Sequence, residues 1–148
     1  MNKTSHVEID QPKYGWSSIR IQDSTDGTSF TGSLSYIENI LTMFLDAFIT
    51  YLTTKTPVAI EFDEEGTNFT IIILPDSIRV ISDREITKVD TFYICPTRFI
   101  EDVCEAFKQN LDDWIRFPYL DETDEEQFMQ DKTVILNKLQ TIKTHNKE

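Results

Sequence analysis

The sequence predicts an α+β fold: an antiparallel sheet of four to five strands, with two helices packed on one face and a C-terminal helix. Three observations predict it. Residues 58–95 read as successive apolar/polar runs separated by turn residues, the signature of antiparallel strands. Segments on either side carry apolar residues at helical spacing, each with one face to bury. One strand register also places six apolar side chains on a single side of the sheet, which a one-residue slip would undo.

The N-terminal residues 1–14 are polar and are expected to form a loose tail, with room for a short strand at Val7-Glu8-Ile9. Residues 16–22 read as a strand with Ile19 and Ile21 on one face. Residues 23–33 are rich in Ser, Thr and Gly and carry the turn pair Asp26-Gly27. They are expected to be a plain connector, with a mobile binding loop as the alternative.

The first helix is expected to open on a capping box, Ser35-x-x-Glu38, and to run to about residue 53. Ile37, Leu41, Phe44, Leu45, Phe48 and Leu52 follow helical spacing, opposite a narrow stripe of Glu38, Thr42 and Asp46. The segment is apolar enough to raise a membrane span. It is shorter than the ~20 residues a span requires and has Asp46 near its centre, so a core helix is the better reading.

In the sheet, Val58, Ile60 and Phe62 share a face, as do Phe69, Ile71 and Ile73. Pairing Asp63 with Asn68 across the loop at 64–67 sets Phe62 against Phe69, Ile60 against Ile71 and Val58 against Ile73. The turn Leu74-Pro75-Asp76-Ser77 then sets Ile73 against Ile78 and Ile71 against Val80. Pro75 excludes the positive φ of the tightest hairpin turns, so a looser turn or a bulge is expected. A fourth strand covers 86–95. Ile72, Leu74 and Ile81 face away from the first helix, with Tyr93 nearby, and the third helix or the N-terminal segment is expected to cover them. If left bare, that patch would be a partner site.

The second helix is expected over 97–115, with Thr97 as N-cap. Its buried stripe is Phe99, Ile100, Val103, Phe107, Leu111 and Trp114; Glu101, Glu105, Lys108 and Asp112 face out, with Asp102 and Asp113 beside them. Phe117-Pro118-Tyr119-Leu120 ends it. A second capping box, Thr123-x-x-Glu126, opens a third helix that runs to about residue 143. Its stripe of Phe128, Ile135, Leu139 and Ile142 is thin and interrupted by Lys132, so it should dock weakly. Residues 144–148 form a second loose tail, and 1–148 is read as one domain.

Composition narrows function. The chain has 148 residues, 39% of them apolar, and a formal charge of −12, too apolar for a disordered chain. Its pI of about 4.5 opposes binding to a nucleic-acid backbone, which needs a basic face. It suits a basic protein partner, or simply solubility. Cys95 and Cys104 fit a reduced compartment. Cys104 reads as a core residue, and a disulfide between the two is not expected. The polar N-terminus has no apolar signal region, so a cytoplasmic location is expected.

Catalytic signatures do not emerge. The two histidines, His6 and His145, sit in opposite tails, which argues against a Ser–His or Cys–His pair or a histidine zinc site. Four scattered glycines make no phosphate loop. Asp63-Glu64-Glu65 crowds three carboxylates into one turn. They could bind calcium or share a proton, but a solvated turn is the simpler reading. No cofactor and no metal are expected.

Charge is unevenly spread. Residues 101–126 hold ten acidic residues against Lys108 and Arg116, a net −8 out of −12. A helix start favours some of these through its dipole, but the stripe on the second helix is left over. Glu101, Asp102, Glu105, Asp112, Asp113, Asp121, Glu122, Asp124 and Glu125 are therefore the expected partner-binding residues.

Gly32-Ser33 ahead of a helix, the hairpin Phe62-Asp63-Glu64-Glu65-Gly66, then Phe92, Phe99, Val103, Phe107 and Phe117-Pro118 make a pattern over about 33–139. It resembles small bacterial proteins encoded beside polymorphic or contact-dependent toxins and thought to be their immunity proteins. The resemblance implies a non-enzymatic inhibitor of a cognate toxin, and an acidic inhibitor suits a basic, nuclease-like toxin. With the acidic charge and the short apolar helix, no membrane and no direct nucleic-acid contact are expected. Two alternatives stand beside it: a phage-type decoy that mimics DNA's phosphates, and a small-molecule enzyme that uses carboxylates such as Glu61 or Glu64.

Overall fold

The structure is a computed structural model that describes residues 5–23, 25–120 and 122–146. Seven strands form two antiparallel sheets. The first is the meander β1 (Ser5–Ile9), β2 (Trp16–Asp23) and β3 (Ser29–Ser35); the second is β4 (Val58–Asp63), β5 (Asn68–Ile73), β6 (Ile78–Asp83) and β7 (Thr87–Phe92). The helices are α1 (Ile40–Thr54), α2 (Pro96–Gln109), α3 (Leu111–Arg116) and α4 (Glu125–His145), with a 3-10 turn at Phe117–Tyr119.

This corrects the expectation of a single four- to five-stranded sheet with two helices on one face and a C-terminal helix. Two segments account for the difference. Residues 29–35 read as connector and helix entry because they are Ser, Thr and Gly, yet Phe30 and Leu34 point into the core from β3 with Gly32 between them. Gly32 carries no side chain because Phe69 lies on it: a Cβ there would sit 2.6 Å from the Phe69 ring. The N-terminal segment is not only a loose tail: the short strand allowed at Val7-Glu8-Ile9 is present as β1, with Val7 opposite Ile21 and Ile9 opposite Ile19. Gly32 and Ser33 therefore lead no helix.

The register expected for the larger sheet is found. Val58, Ile60, Phe62 and Asp63 oppose Ile73, Ile71, Phe69 and Asn68, and Ile73 and Ile71 oppose Ile78 and Val80. At 74–77 the Leu74 N–H reaches the Ser77 carbonyl at 2.9 Å, and neither Pro75 nor Asp76 takes a positive φ.

Helix boundaries move for local reasons. Asn39 is the N-cap of α1, its side chain accepting the Thr42 N–H at 3.3 Å. Ser35 ends β3, Glu38 reaches across to the Asp63 N–H at 2.9 Å, and Ile37 is exposed. Pro96 takes the first turn of α2 with Cys95 as N-cap, where its missing N–H costs nothing. The expected single helix over 97–115 breaks at Asn110 into α2 and α3. Asp124 caps α4 by accepting the Gln127 N–H at 2.8 Å, one residue beyond the expected Thr123. Both cysteines are free thiols.

An aromatic chain ties the layers together. Phe30 of β3 meets Phe69 of β5 at 5.0 Å; Phe69 stacks on Phe62, also at 5.0 Å. Phe62 meets Phe44 of α1, Phe44 meets Phe107 of α2, and Phe107 meets Trp114 of α3. Each contact adds roughly 0.5–1.5 kcal/mol beyond simple burial. The thin stripe of α4 buries Phe128, Ile135, Leu139 and Ile142 while the helix lies against α1 and α3. Lys138 of α4 is tied to Asp46 of α1 at 2.6 Å. No helix among the described residues is long and apolar enough to cross a membrane.

Among the described residues, neither α4 nor the N-terminal segment from Ser5 onward covers the outer face of the larger sheet, contrary to expectation. Ile72, Leu74 and Ile81 are half-buried there, and Val89 and Tyr93 are exposed.

Candidate interaction surface

The acidic residues singled out in the sequence separate into two groups. Glu101, Asp102 and Glu105 lie on α2. Asp102 is half-buried and faces Arg98 at 3.5 Å; Glu105 faces Lys108 at 3.7 Å. Asp102 and Glu105 line one wall of an open cleft of about 450 Å³, whose other wall is β1 with Glu8 and Asp10. Glu101 and Glu105 also border a groove of about 220 Å³ between α2 and α4, with Cys104, Lys108 and Lys143.

The second group has structural duties. Asp112 pairs with Lys132 of α4 at 3.1 Å. Asp113 accepts a hydrogen bond from the Gln11 side chain at 2.9 Å. Asp124 caps α4, and Glu125 lies in its first turn, where negative charge meets the helix dipole. Glu122 is exposed beside them. Asp121 lies outside the described residues. The break at Asn110 separates Asp112 and Asp113 from the α2 stripe, so the predicted continuous acidic face does not run straight through both helices.

Sequence reasoning missed Glu8 and Asp10 as members of the surface. The signal was present: Val7 and Ile9 alternate with Glu8 and Asp10, as a strand with one wet face does. Glu8 is held by Arg20 of β2. Asp10 accepts from the Ser18 hydroxyl at 2.6 Å. These contacts aim both carboxylates from a sheet, not from a tail.

In the turn Asp63-Glu64-Glu65 the outer two carboxylates are exposed, as expected of a solvated turn, but Glu64 between them is largely covered. The Glu64 side chain is only 6% exposed. One of its oxygens accepts the Ser33 N–H of β3 at 2.9 Å and an Arg84 N–H at 2.7 Å. The other accepts from Thr67 at 2.8 Å and from the Arg84 Nε–H at 3.2 Å. Arg84 also donates to the Thr31 carbonyl at 2.9 Å and lies over the Phe30 ring. Glu65 accepts from the buried Ser35 hydroxyl. Asp63 accepts the Glu65 N–H at 2.7 Å. The three carboxylates thus join the hairpin to β3 and close its own turn.

Burial works against the Glu64 carboxylate, but Arg84, Ser33 and Thr67 together hold its pKa below the ordinary value. Glu38 goes the other way. Its partial burial, helped by Asp63 and Glu61, pushes its pKa up despite the Asp63 N–H. With Glu61 and Asp63 it lines an open cleft of about 460 Å³ beside the hairpin. Glu64 is thereby committed to structure, which removes it from the carboxylate pair considered for catalysis. Burial also raises the Cys104 thiol to about 12, which makes it a poor nucleophile. Among the described residues, no group of three or more His, Cys, Asp or Glu side chains is placed to hold a metal ion. Compared with family models, curated proteins and solved structures, the chain finds no match.

Proposed function

We propose that this chain is a binding protein that neutralises a basic partner, in the manner of an immunity protein occluding its cognate toxin domain. The observation that carries this reading is the cleft between β1 and α2, where Glu8 and Asp10 face Asp102 and Glu105 with Glu101 alongside. Among the described residues, the cations paired with these carboxylates are Arg20, Arg98 and Lys108, in a chain of net charge −12. The Arg20–Glu8 and Lys108–Glu105 pairs are exposed, and such pairs contribute about 0–1 kcal/mol each, so a partner's lysine or arginine can displace them cheaply. Complementary charge of this kind acts mainly on the association rate.

The resemblance to immunity proteins supplies the class of partner, a toxin domain encoded beside this chain. The test is calorimetric titration of that neighbouring gene product over a salt series. Binding should weaken steeply with salt, and Asp10→Lys, Glu101→Lys and Glu105→Lys together should reduce affinity by about 100-fold or more. Salt-independent binding, or full affinity in the triple variant, would sink this surface. Binding to several unrelated DNA-handling proteins would favour the decoy reading instead.

A further inference from the structure

The two edges of the larger sheet are treated differently, and the difference points to a second copy of this chain. Hydrogen-bonding direction alternates along an antiparallel strand. The Leu74 N–H bonds the Ser77 carbonyl, so Ile73 and Ile78 form a non-bonded pair. Ile78, Val80 and Ser82 then turn their backbone groups toward Phe92, Asp90 and Lys88 of β7. By the same alternation, Thr87, Val89 and Thr91 point their N–H and C=O groups away from β6, where no strand pairs with them among the described residues.

At the opposite edge, Glu64 bonds Thr67 across the loop, so Asp63 points its N–H outward, and Glu38 accepts it. That edge also lies beside α1 and β3. Among the described residues the β7 edge shows no corresponding cap, and its strand is exposed from Thr87 to Val89. Free strand edges pair with other strands unless something prevents it.

We propose that two copies of this chain associate through antiparallel pairing of β7 with β7, on a two-fold axis that passes through Val89. The charge pattern selects this register. A two-fold relating edge strands runs along the sheet normal, so residues of equal parity oppose each other. With Val89 on the axis, Lys88 opposes the partner's Asp90 and Asp90 opposes the partner's Lys88. Both are non-hydrogen-bonded pairs, where side chains approach most closely. An axis at Lys88 would oppose lysine to lysine, and one at Asp90 aspartate to aspartate.

The same register sets Thr87 against the partner's Thr91 and Val89 against its counterpart. It yields about six backbone hydrogen bonds, two for each bonded pair. The row Glu61, Thr70, Ile81 and Val89 continues across the axis, and the exposed Val89 gains an apolar neighbour. Within one chain the Lys88 ammonium and the Asp90 carboxylate stand 3.8 Å apart on the same side of the strand, with the lysine exposed and the aspartate 11% exposed. The described residues begin at Ser5 in the other sheet and end at Asn146 after α4. One short strand makes a small interface, below the size of stable complexes, so the dimer is a weak one.

The test is sedimentation equilibrium of the purified full chain from low micromolar concentration up to about 1 mM, the range in which an interface this small is populated. The wild type should pass from monomer to dimer across it. Lys88→Asp and Asp90→Lys should each remove the dimer. The double swap should restore it, because exchanging the two charges within each strand again sets opposite signs against each other across the axis. Val89→Pro removes an N–H that β6 does not use. It should keep the wild-type circular dichroism and remain monomeric. A wild type that is monomeric throughout overturns the proposal. So does a dimer untouched by Val89→Pro, or a double swap no better than either single reversal. Capture of a different protein's strand by a monomeric wild type would count against self-association in the same way.

Discussion

The hairpin turn at residues 63–65 and the flank of α2 are both dense in carboxylates, but the molecule uses them in opposite ways. In the turn, Glu64 is nearly sealed from water and answers Ser33, Thr67 and Arg84. On α2, Glu101 and Glu105 face solvent, with at most an exposed lysine nearby. Local charge density does not distinguish the two cases. What distinguishes them is the smaller sheet: its β3 brings the Ser33 N–H against the turn, while its β1 runs along α2 and, among the described residues, donates no hydrogen bond to Glu101 or Glu105. Carboxylates without internal partners are the ones free to meet another molecule.

The sharpest way to break this contrast is Glu64→Ala. It strips Arg84 of its pair and leaves the Ser33 N–H unanswered between the sheets. Losing a largely covered carboxylate that answers a backbone N–H and an exposed arginine should cost about 1–3 kcal/mol, read as a drop in the denaturant midpoint. The loss should shrink in acid. Because the folded pKa of Glu64 lies below its ordinary value of 4.5, its contribution is fully present above that value and disappears as pH falls through the folded pKa.

Asp124→Ala tests a member of the acidic stretch that has a structural duty. Removing the cap that accepts the Gln127 N–H should cost about 1 kcal/mol, visible as a lower Tm.

Glu38→Gln should have a smaller effect with the opposite sign. The folded pKa of Glu38 is raised by burial, so ionising it opposes folding, and the penalty is felt as pH rises through that raised value. Glutamine keeps an oxygen for the Asp63 N–H and carries no charge. The variant should be a few tenths of a kcal/mol more stable at neutral pH, with the gain vanishing in acid. A variant destabilised at every pH would mean that the carboxylate itself is needed there.

Smallest of all should be the effect on folding of Glu101→Lys with Glu105→Lys. Exposed substitutions of this kind stay within about 0.5 kcal/mol. A larger loss would show that α2's flank is structural after all and would erase the contrast with the hairpin.

Much of the fold was legible. The alternation from Val58 to Val80 specified both hairpin registers, because a slip would expose Phe62 and Phe69 together. Helical spacing identified Phe99, Val103, Phe107 and Trp114, all buried. Of the smaller sheet, β2 and the short strand at Val7-Glu8-Ile9 were legible from their alternation, but β3 and the existence of a separate sheet were not. Gly32 and the serines of β3 have no apolar pattern of their own, and their place depends on Phe69 arriving from another strand. For the candidate surface, Glu101, Asp102 and Glu105 could be picked out, but Glu8 and Asp10 could not be placed beside them until β1 was seen to run along α2.

The amino-acid order by itself determined where chain segments are strands or helices whenever one face had to be apolar, since that periodicity is a local property. Tertiary structure alone decided that the chain makes two sheets, that Glu64 is an internal link while Glu105 is surface, and that one strand edge is capped and the other open. Those outcomes depend on which distant groups come within hydrogen-bonding reach, and no local pattern encodes that.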